Sequence, residues 1–246
     1  MNSMGKQYTA AMIVIGNEIL SGRTQDLNIN YVANKLVECG VVLTEVRIIP
    51  DLEDMIVSTI RALSPQVDYI FTSGGIGPTH DDITAASVAK AFDVELVENP
   101  QARALLLAHY GEGDLNEARL RMARIPAGAE LVPNPVSAAP GFIIKNTYVM
   151  AGVPRIMQAM MDHIAYSLAG GAVILSRTVP CNLTESIIAE PLAEIQDQWK
   201  SVDIGSYPYF KDGVLGVNVV LRSHIEDDLV KATSDVLHMV EKLIST

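Results

Sequence analysis

Cysteine is scarce: Cys39 and Cys181 are the only two in 246 residues, and they lie far apart, outside any C-x-x-C pattern. They read as two reduced thiols in a cytosolic protein, with no disulfide framework. Long apolar runs are missing too; none approaches the ~20 residues needed to span a bilayer. The opening MNSMGKQYTA has no apolar stretch of the secretory kind. The expectation is a soluble cytoplasmic protein with no membrane partner. Basic residues are few, 18 against 29 acidic ones, for a net charge of −11. Duplex affinity comes mainly from basic side chains neutralising phosphates, so nucleic acid is not an expected partner. A phosphate-bearing ligand would have to be held locally, by backbone N–H groups, a few arginines or a metal. A Gly-Lys-Ser/Thr sequence is also lacking, which removes the P-loop.

What is present is ample apolar material, 49% of residues against 19% charged, enough for a buried core. YTAAMIVIG (8–16) is a continuous apolar run of the kind found in strands covered on both faces. NINYVANKLVECG (28–40) has helical spacing with Gly40 as a stop, and VVLTEVRII (41–49) returns to strand. DLEDMIVSTIRAL (51–63) reads as a helix with Asp51 as N-cap, and VDYIFTS (67–73) as a third strand. This alternation predicts a doubly wound, mostly parallel sheet. Helices are expected after Asp82, over 102–110, over 115–124 and from Pro154 to Leu168. The Met-rich stripe of the last one reads as core or interface packing. A loop-rich stretch at 125–142 and a hairpin at 142–150 lie between. AGG at 169–171 marks a boundary, giving domains 1–170 and 171–246. The second has the order βαββα of a small α+β module of the ferredoxin-like kind.

The chemistry concentrates in GGIGPTHDD (74–82), which follows the third strand directly. In open α/β sheets, ligands sit beyond the carboxyl ends of strands, where loops meet helix N-termini. Gly74, Gly75 and Gly77 would let backbone N–H groups approach a phosphate, and Pro78 would stiffen the turn. Thr72, Ser73 and Thr79 offer hydroxyls. The dinucleotide fingerprint matches Gly75 and Gly77, but His80 stands where its third glycine belongs. Asp81 and Asp82 at such a cradle would repel an anion unless a divalent cation sat between them. One carboxylate would then be a metal ligand, and the other a ligand or general base. On spacing alone a second reading stays open, in which Asp82 caps the next helix and Asp81 faces solvent. Glu18 and Asn28, in GNEILSGRTQDLN (16–28), fall at the same sheet edge.

IGNEILSGRTQDLN (15–28), TSGGIGPTHDDIT (72–84), RIPAGAELVPNP (124–135), APGF (139–142), AGVP (151–154) and IGSYPYF (204–210) occur in one order across nearly the whole chain. Together they resemble the molybdopterin-binding fold family, in the branch of competence/damage-inducible protein A and the matching domain of eukaryotic FAD synthase. The resemblance implies a three-layer αβα domain whose strand-end loops form a pocket for a small-molecule nucleotide or pterin ligand. In that branch the implied activity is metal-dependent hydrolysis of a nucleotide diphosphate such as ADP-ribose or FAD, with Co²⁺ or Mg²⁺. More distant relatives imply non-hydrolytic pterin binding in molybdenum-cofactor assembly.

By motif match, Asp81, Asp82 and Glu18 would be catalytic, with Asp81 and Asp82 as metal ligands. Gly74, Gly75, Gly77, Pro78, Thr79, Asn28, Ser73, Pro140, Gly141 and Gly152 would bind substrate. A homo-oligomer is implied as well. Asn17, Ala151 and Ile156 depart from the family's acid, proline and glutamate. The amidase domain that often follows is not in these residues, so nicotinamide-nucleotide deamidation is not expected.

Overall fold

In a computed structural model, which describes residues 6–171, 173–211 and 213–245, the chain divides into two units after Gly171. The elements of the first are β1 (Tyr8–Ile15), α1 (Asn17–Leu20), α2 (Asn28–Glu38), β2 (Val41–Ile49), α3 (Glu53–Leu63), β3 (Tyr69–Ser73), α4 (Thr84–Ala91), β4 (Leu96–Glu98), α5 (Pro100–Tyr110), α6 (Glu117–Leu120), β5 (Arg124–Pro126), β6 (Glu130–Val132), β7 (Gly141–Ile144), β8 (Thr147–Met150) and α7 (Pro154–Ala165).

The apolar run of β1 is buried from Ala10 onward, as a strand with helices on both faces requires. It pairs in parallel with β2 on one side and β3 on the other, and β3 pairs in parallel with β8. The hairpin β7–β8 and the edge strand β6 are antiparallel, so the sheet runs β2-β1-β3-β8-β7-β6. One face carries Ala11, Ile13 and Ile15 against Ile56 and Ile60 of α3 and Val88 of α4. The other carries Met12, Val14 and Phe71 against Val32 and Leu36 of α2 and Met157, Met160 and Met161 of α7. The methionine stripe is therefore core. This is the expected three-layer αβα arrangement. The β1→β2 and β2→β3 connections run over opposite faces, which places the topological switch between β1 and β3.

Several local expectations are corrected. Asp51 is not a helix cap: α3 starts at Glu53 with no side-chain cap, and Asp51 Oδ2 instead accepts from the Asn17 N–H at 2.8 Å. The helix expected over 115–124 is one turn, α6, followed by a 3₁₀ turn over Arg121–Ala123. α5 begins at Pro100, earlier than expected, because Asn99 caps it by accepting from Ala102 N–H. The stretch read as loop from 125 holds β6 and most of β5, which pairs with β4 in a small separate sheet. Three-residue strands are too short for a two-residue period to register.

The second unit comprises β9 (Leu175–Cys181), α8 (Glu185–Gln198), β10 (Asp203–Lys211), β11 (Val214–Ser223) and α9 (Glu226–Ile244). Its antiparallel sheet has the order β10-β11-β9, and Val179, Val219 and Leu221 pack on Ile188, Leu192 and Val236 of the two helices. This is the βαββα module expected from the sequence. No helix among the described residues is long and apolar enough to cross a membrane.

Candidate active site

Three neighbouring parallel strands, β1, β3 and β8, end at one sheet edge, and each is followed at once by a glycine-bearing turn: Gly16, Gly74–Gly77 and Gly152. A cleft of about 730 Å³ opens there. That lies within the roughly 300–1,000 Å³ typical of small-molecule pockets. Its lining includes Glu18, Asp51, Gly74, Gly75, Gly77, Pro78, Asp81, Asp82 and Gly152.

The glycines of the loop are required by geometry. Gly74 has φ 111°, and a Cβ there would lie 2.1 Å from the Ile15 carbonyl oxygen. Gly75 has φ 68°, and its Cβ would meet Thr84 Oγ1 at 2.2 Å. Thr84, the first residue of α4, ties the loop down: its N–H donates to Gly75 O and its hydroxyl to Gly74 O, both at 3.0 Å. Gly74 N–H donates to Met150 O, joining β3's end to that of β8. The next three N–H groups, of Gly75, Ile76 and Gly77, have no acceptor among the described residues. Backbone donors are seldom left unsatisfied without water or a ligand to receive them. Gly75, Ile76 and Gly77 are all lining residues of the cleft.

The acidic pair is organised around Thr79. Asp82 Oδ2 accepts from Thr79 N–H at 2.8 Å and from its hydroxyl at 2.5 Å, so Asp82 folds back on the loop and does not cap α4. Gly77 is what admits it, since a Cβ there would lie 2.6 Å from Asp82 Oδ2. Asp81 is exposed, with Oδ1 4.0 Å from His80 Nδ1. The neighbouring Thr79 side chain, then Asp81's own N–H, holds the Asp81 carboxyl below the usual carboxylate range, although the Thr79 hydroxyl proton itself is given to Asp82. His80 is solvent-facing, in keeping with a turn residue.

Asn28 sits beneath the cleft, 4% exposed, at the start of α2. Its Nδ2 donates to Ser73 Oγ and to Gly152 O, each at 2.8 Å, clamping the first loop to the ends of β3 and β8. Its Oδ1 is buried without a partner among the described residues. Ser73 is itself buried and its hydroxyl is engaged by Asn28, while the Thr72 hydroxyl is buried and unpartnered. Neither hydroxyl is a cleft group, contrary to the expectation for them. Gly141 is likewise not at the cleft. It lies in β7, where a Cβ would meet Val149 O at 2.3 Å, so the glycine serves sheet packing. Pro140 borders a small side recess beneath Gly75–Gly77, with Arg121 and Arg124.

For the opposite wall the sequence offers only Arg119, Arg121 or Arg124 as a source of positive charge, with EARLRMAR read first as a solvated helix face. Tyr110 at the end of α5, Arg119 of α6, and Asn134, Ser137 and Ala139 of the NPVSAAP turn also line the cleft. Asn134 organises that turn: its Oδ1 accepts from Val136 and Ser137 N–H, and its Nδ2 donates to Ser137 Oγ and Ala139 O. An asparagine before proline was the available signal. Asp51 was visible but was assigned to the wrong partner.

A divalent cation would find hard oxygen donors here. Among the described residues no three His, Cys, Asp or Glu side chains gather as a cage. Asp81 and Asp82 nonetheless suit an ion such as Mg²⁺, which takes one or two carboxylates and fills its remaining positions with water and ligand phosphate oxygens. The donor set fits a site completed by its ligand.

Residues 11–170 match the family model described as "Probable molybdopterin binding domain", and residues 173–245 match "FAD synthase, middle domain". A protein of Archaeoglobus fulgidus is 35% identical over 198 residues, covering 80% of this chain and 84% of its own length. Another, from Pyrococcus furiosus, is 31% identical over 237 residues, covering 91% and 93%. Among solved structures, the protein CinA from Thermoplasma acidophilum, "with unknown function", aligns with a TM-score of 0.63 at 34% identity, over 65% of this chain and 98% of that one.

Proposed function

Because the chain belongs to the molybdopterin-binding domain family, followed here by a FAD synthase middle domain, we propose that its cleft binds a nucleotide diphosphate and hydrolyses the phosphoanhydride bond. One observation carries this reading: three successive residues whose N–H groups have no acceptor among the described residues line a cleft that is also lined by Glu18, Asp51, Asp81 and Asp82. Free amides favour an anion, while four carboxylates repel one. A phosphate ligand accompanied by a cation satisfies both. Asp81 and Asp82 would hold a divalent ion, Co²⁺ or Mg²⁺, which when bound supplies charge neutralisation at the phosphate oxygens.

The amides of Gly75, Ile76 and Gly77 would stabilise the charge that grows on the phosphoryl oxygens as water attacks. Thr79 keeps Asp82 in one orientation, and Glu18 is the carboxylate left to take the proton of the attacking water. The new bond joins the water oxygen to phosphorus, the bridging P–O bond breaks, and two phosphate monoesters leave.

The test is incubation with ADP-ribose, FAD or NAD plus Co²⁺ or Mg²⁺, with chromatography for AMP. AMP is expected from at least one substrate, with a loss of roughly 100-fold or more in Asp82→Ala. No AMP from the wild-type chain, or equal AMP from the variant, overturns the reading. A second reading, binding of a pterin or nucleotide without turnover, is favoured by the apolar wall that Ala151 and Ile156 give the cleft. Calorimetric binding without product would select it.

A further inference from the structure

Among the described residues the cleft is lined by one arginine, Arg119, and its setting differs from that of a solvated surface charge. Arg119 Cζ stands over the Tyr110 ring, 4.2 Å from its centroid, a close cation–π contact. The base of this pair is fixed. Tyr110 packs on the small cluster of Ala102, Leu106 and Ala123, with His109 edge-on to its ring at 4.8 Å. Arg119 is fixed in turn: its Nη1 donates to Asp114 O, and its N–H caps α6 by donating to Asn116 Oδ1 at 3.0 Å. No carboxylate pairs with Arg119 among the described residues. Tyr110, Arg119 and Met122 share the lining of the cleft with the glycine loop.

A guanidinium held over a tyrosine ring, with one nitrogen tied to a carbonyl, still offers a planar, weakly hydrated surface. Such planes accept flat heteroaromatic rings by stacking, as arginine does with splayed nucleobases. We propose that Arg119, held in place by Tyr110 and the Asp114 carbonyl, is the stacking platform for the heteroaromatic ring of the ligand, in the class of purines and related fused rings. The inference rests on the reading of the cleft as a nucleotide site and adds what selects the nucleoside end. The glycine amides take the phosphate; the Tyr110–Arg119 pair takes the ring. Arg119 is then a specificity residue, and charge alone does not replace it.

Calorimetry on the full chain with Mg²⁺ separates the two ends, using AMP as the probe with a ring and ribose 5-phosphate as the same phosphate without one. The wild-type chain is expected to bind AMP more tightly than ribose 5-phosphate. Arg119→Lys, which keeps the charge and loses the plane, is expected to weaken AMP roughly ten- to hundred-fold and to leave ribose 5-phosphate unchanged. Tyr110→Phe, which keeps the ring, is expected to bind AMP as wild type does, and Tyr110→Leu to behave like Arg119→Lys.

The proposal is overturned if Arg119→Lys binds AMP normally, or if it loses ribose 5-phosphate to the same extent, which would make Arg119 a phosphate contact. It is also overturned if wild type shows no preference for AMP or binds neither probe. Failure of hydrolysis alone looks different: AMP binds with the expected pattern, and no AMP is released from ADP-ribose or FAD.

Discussion

Replacing Asn28 by alanine should loosen three loops at once. The side chain gives two hydrogen bonds of 2.8 Å, to Ser73 Oγ and Gly152 O, from a position 4% exposed. Each such bond contributes about 0.5–1.5 kcal/mol net, so their removal costs about 1–3 kcal/mol. Two features limit the loss. Ser73 Oγ keeps the Ala151 carbonyl as a contact at 3.4 Å, and Asn28 Oδ1, which has no partner, forfeits nothing. At about 2–4 °C per kcal/mol for a domain of this size, the melting temperature should fall by several degrees.

Asn28→Asp is the sharper variant, because it replaces the donor with an oxygen facing the Gly152 carbonyl. Burial raises that carboxyl's pKa above its unfolded value, so the folded state binds the extra proton. Stability of this variant should therefore fall as pH rises from about 4 toward neutrality. The expected order at pH 7 is wild type, then Asn28→Ala, then Asn28→Asp, with the last recovering on acidification. Thermal unfolding followed by circular dichroism at several pH values measures it. An aspartate variant as stable as wild type at pH 7 would refute the clamp.

Two glycines of the loop should fail differently. Gly74→Ala combines φ 111° with a Cβ 2.1 Å from a backbone oxygen and should destabilise by more than about 2 kcal/mol in urea unfolding. Gly77→Ala meets first the Asp82 carboxylate, the end of a side chain that can move, so it should cost less stability while displacing Asp82 from Thr79 and lowering AMP release. Acid sensitivity should trace in part to Asp68, whose carboxyl is held below its usual range chiefly by the Lys6 ammonium and then by the Thr9 N–H. Its contribution is present above the unfolded value near 3.9 and is lost as pH falls through the lower folded value. Asp68→Asn should flatten the melting temperature against pH in that acid range, and an unchanged profile would remove the assignment.

The central buried strand was legible because a strand covered on both faces needs a long apolar run, and YTAAMIVI supplies it. The glycine loop was legible for a related reason: its residues answer to backbone constraints within the loop and the adjoining strand and helix ends. The far wall was not. Tyr110 and Arg119 meet only because the chain turns back between α5 and α6, and EARLRMAR reads as an ordinary charged face until that turn is known. Asp51 looked like a cap because an acid at a helix start usually is one; its partner lies 34 residues away. Gly141 looked like a pocket glycine by its place in APGF, whereas the carbonyl that forbids a side chain there belongs to a neighbouring strand.

Strand β8 enters the sheet between β3 and β7, although its residues come long after those of β3 in the chain. The hydrogen bond that locks the turn after it, from Asn28 to Gly152, closes a loop of 124 residues. Closing so long a loop is entropically costly, and it is repaid only when the neighbouring contacts form together. The latch is thus completed last: a nascent chain ending before Met150 holds the glycine loop and the Tyr110–Arg119 wall, but not the Gly152 carbonyl that Asn28 must grip.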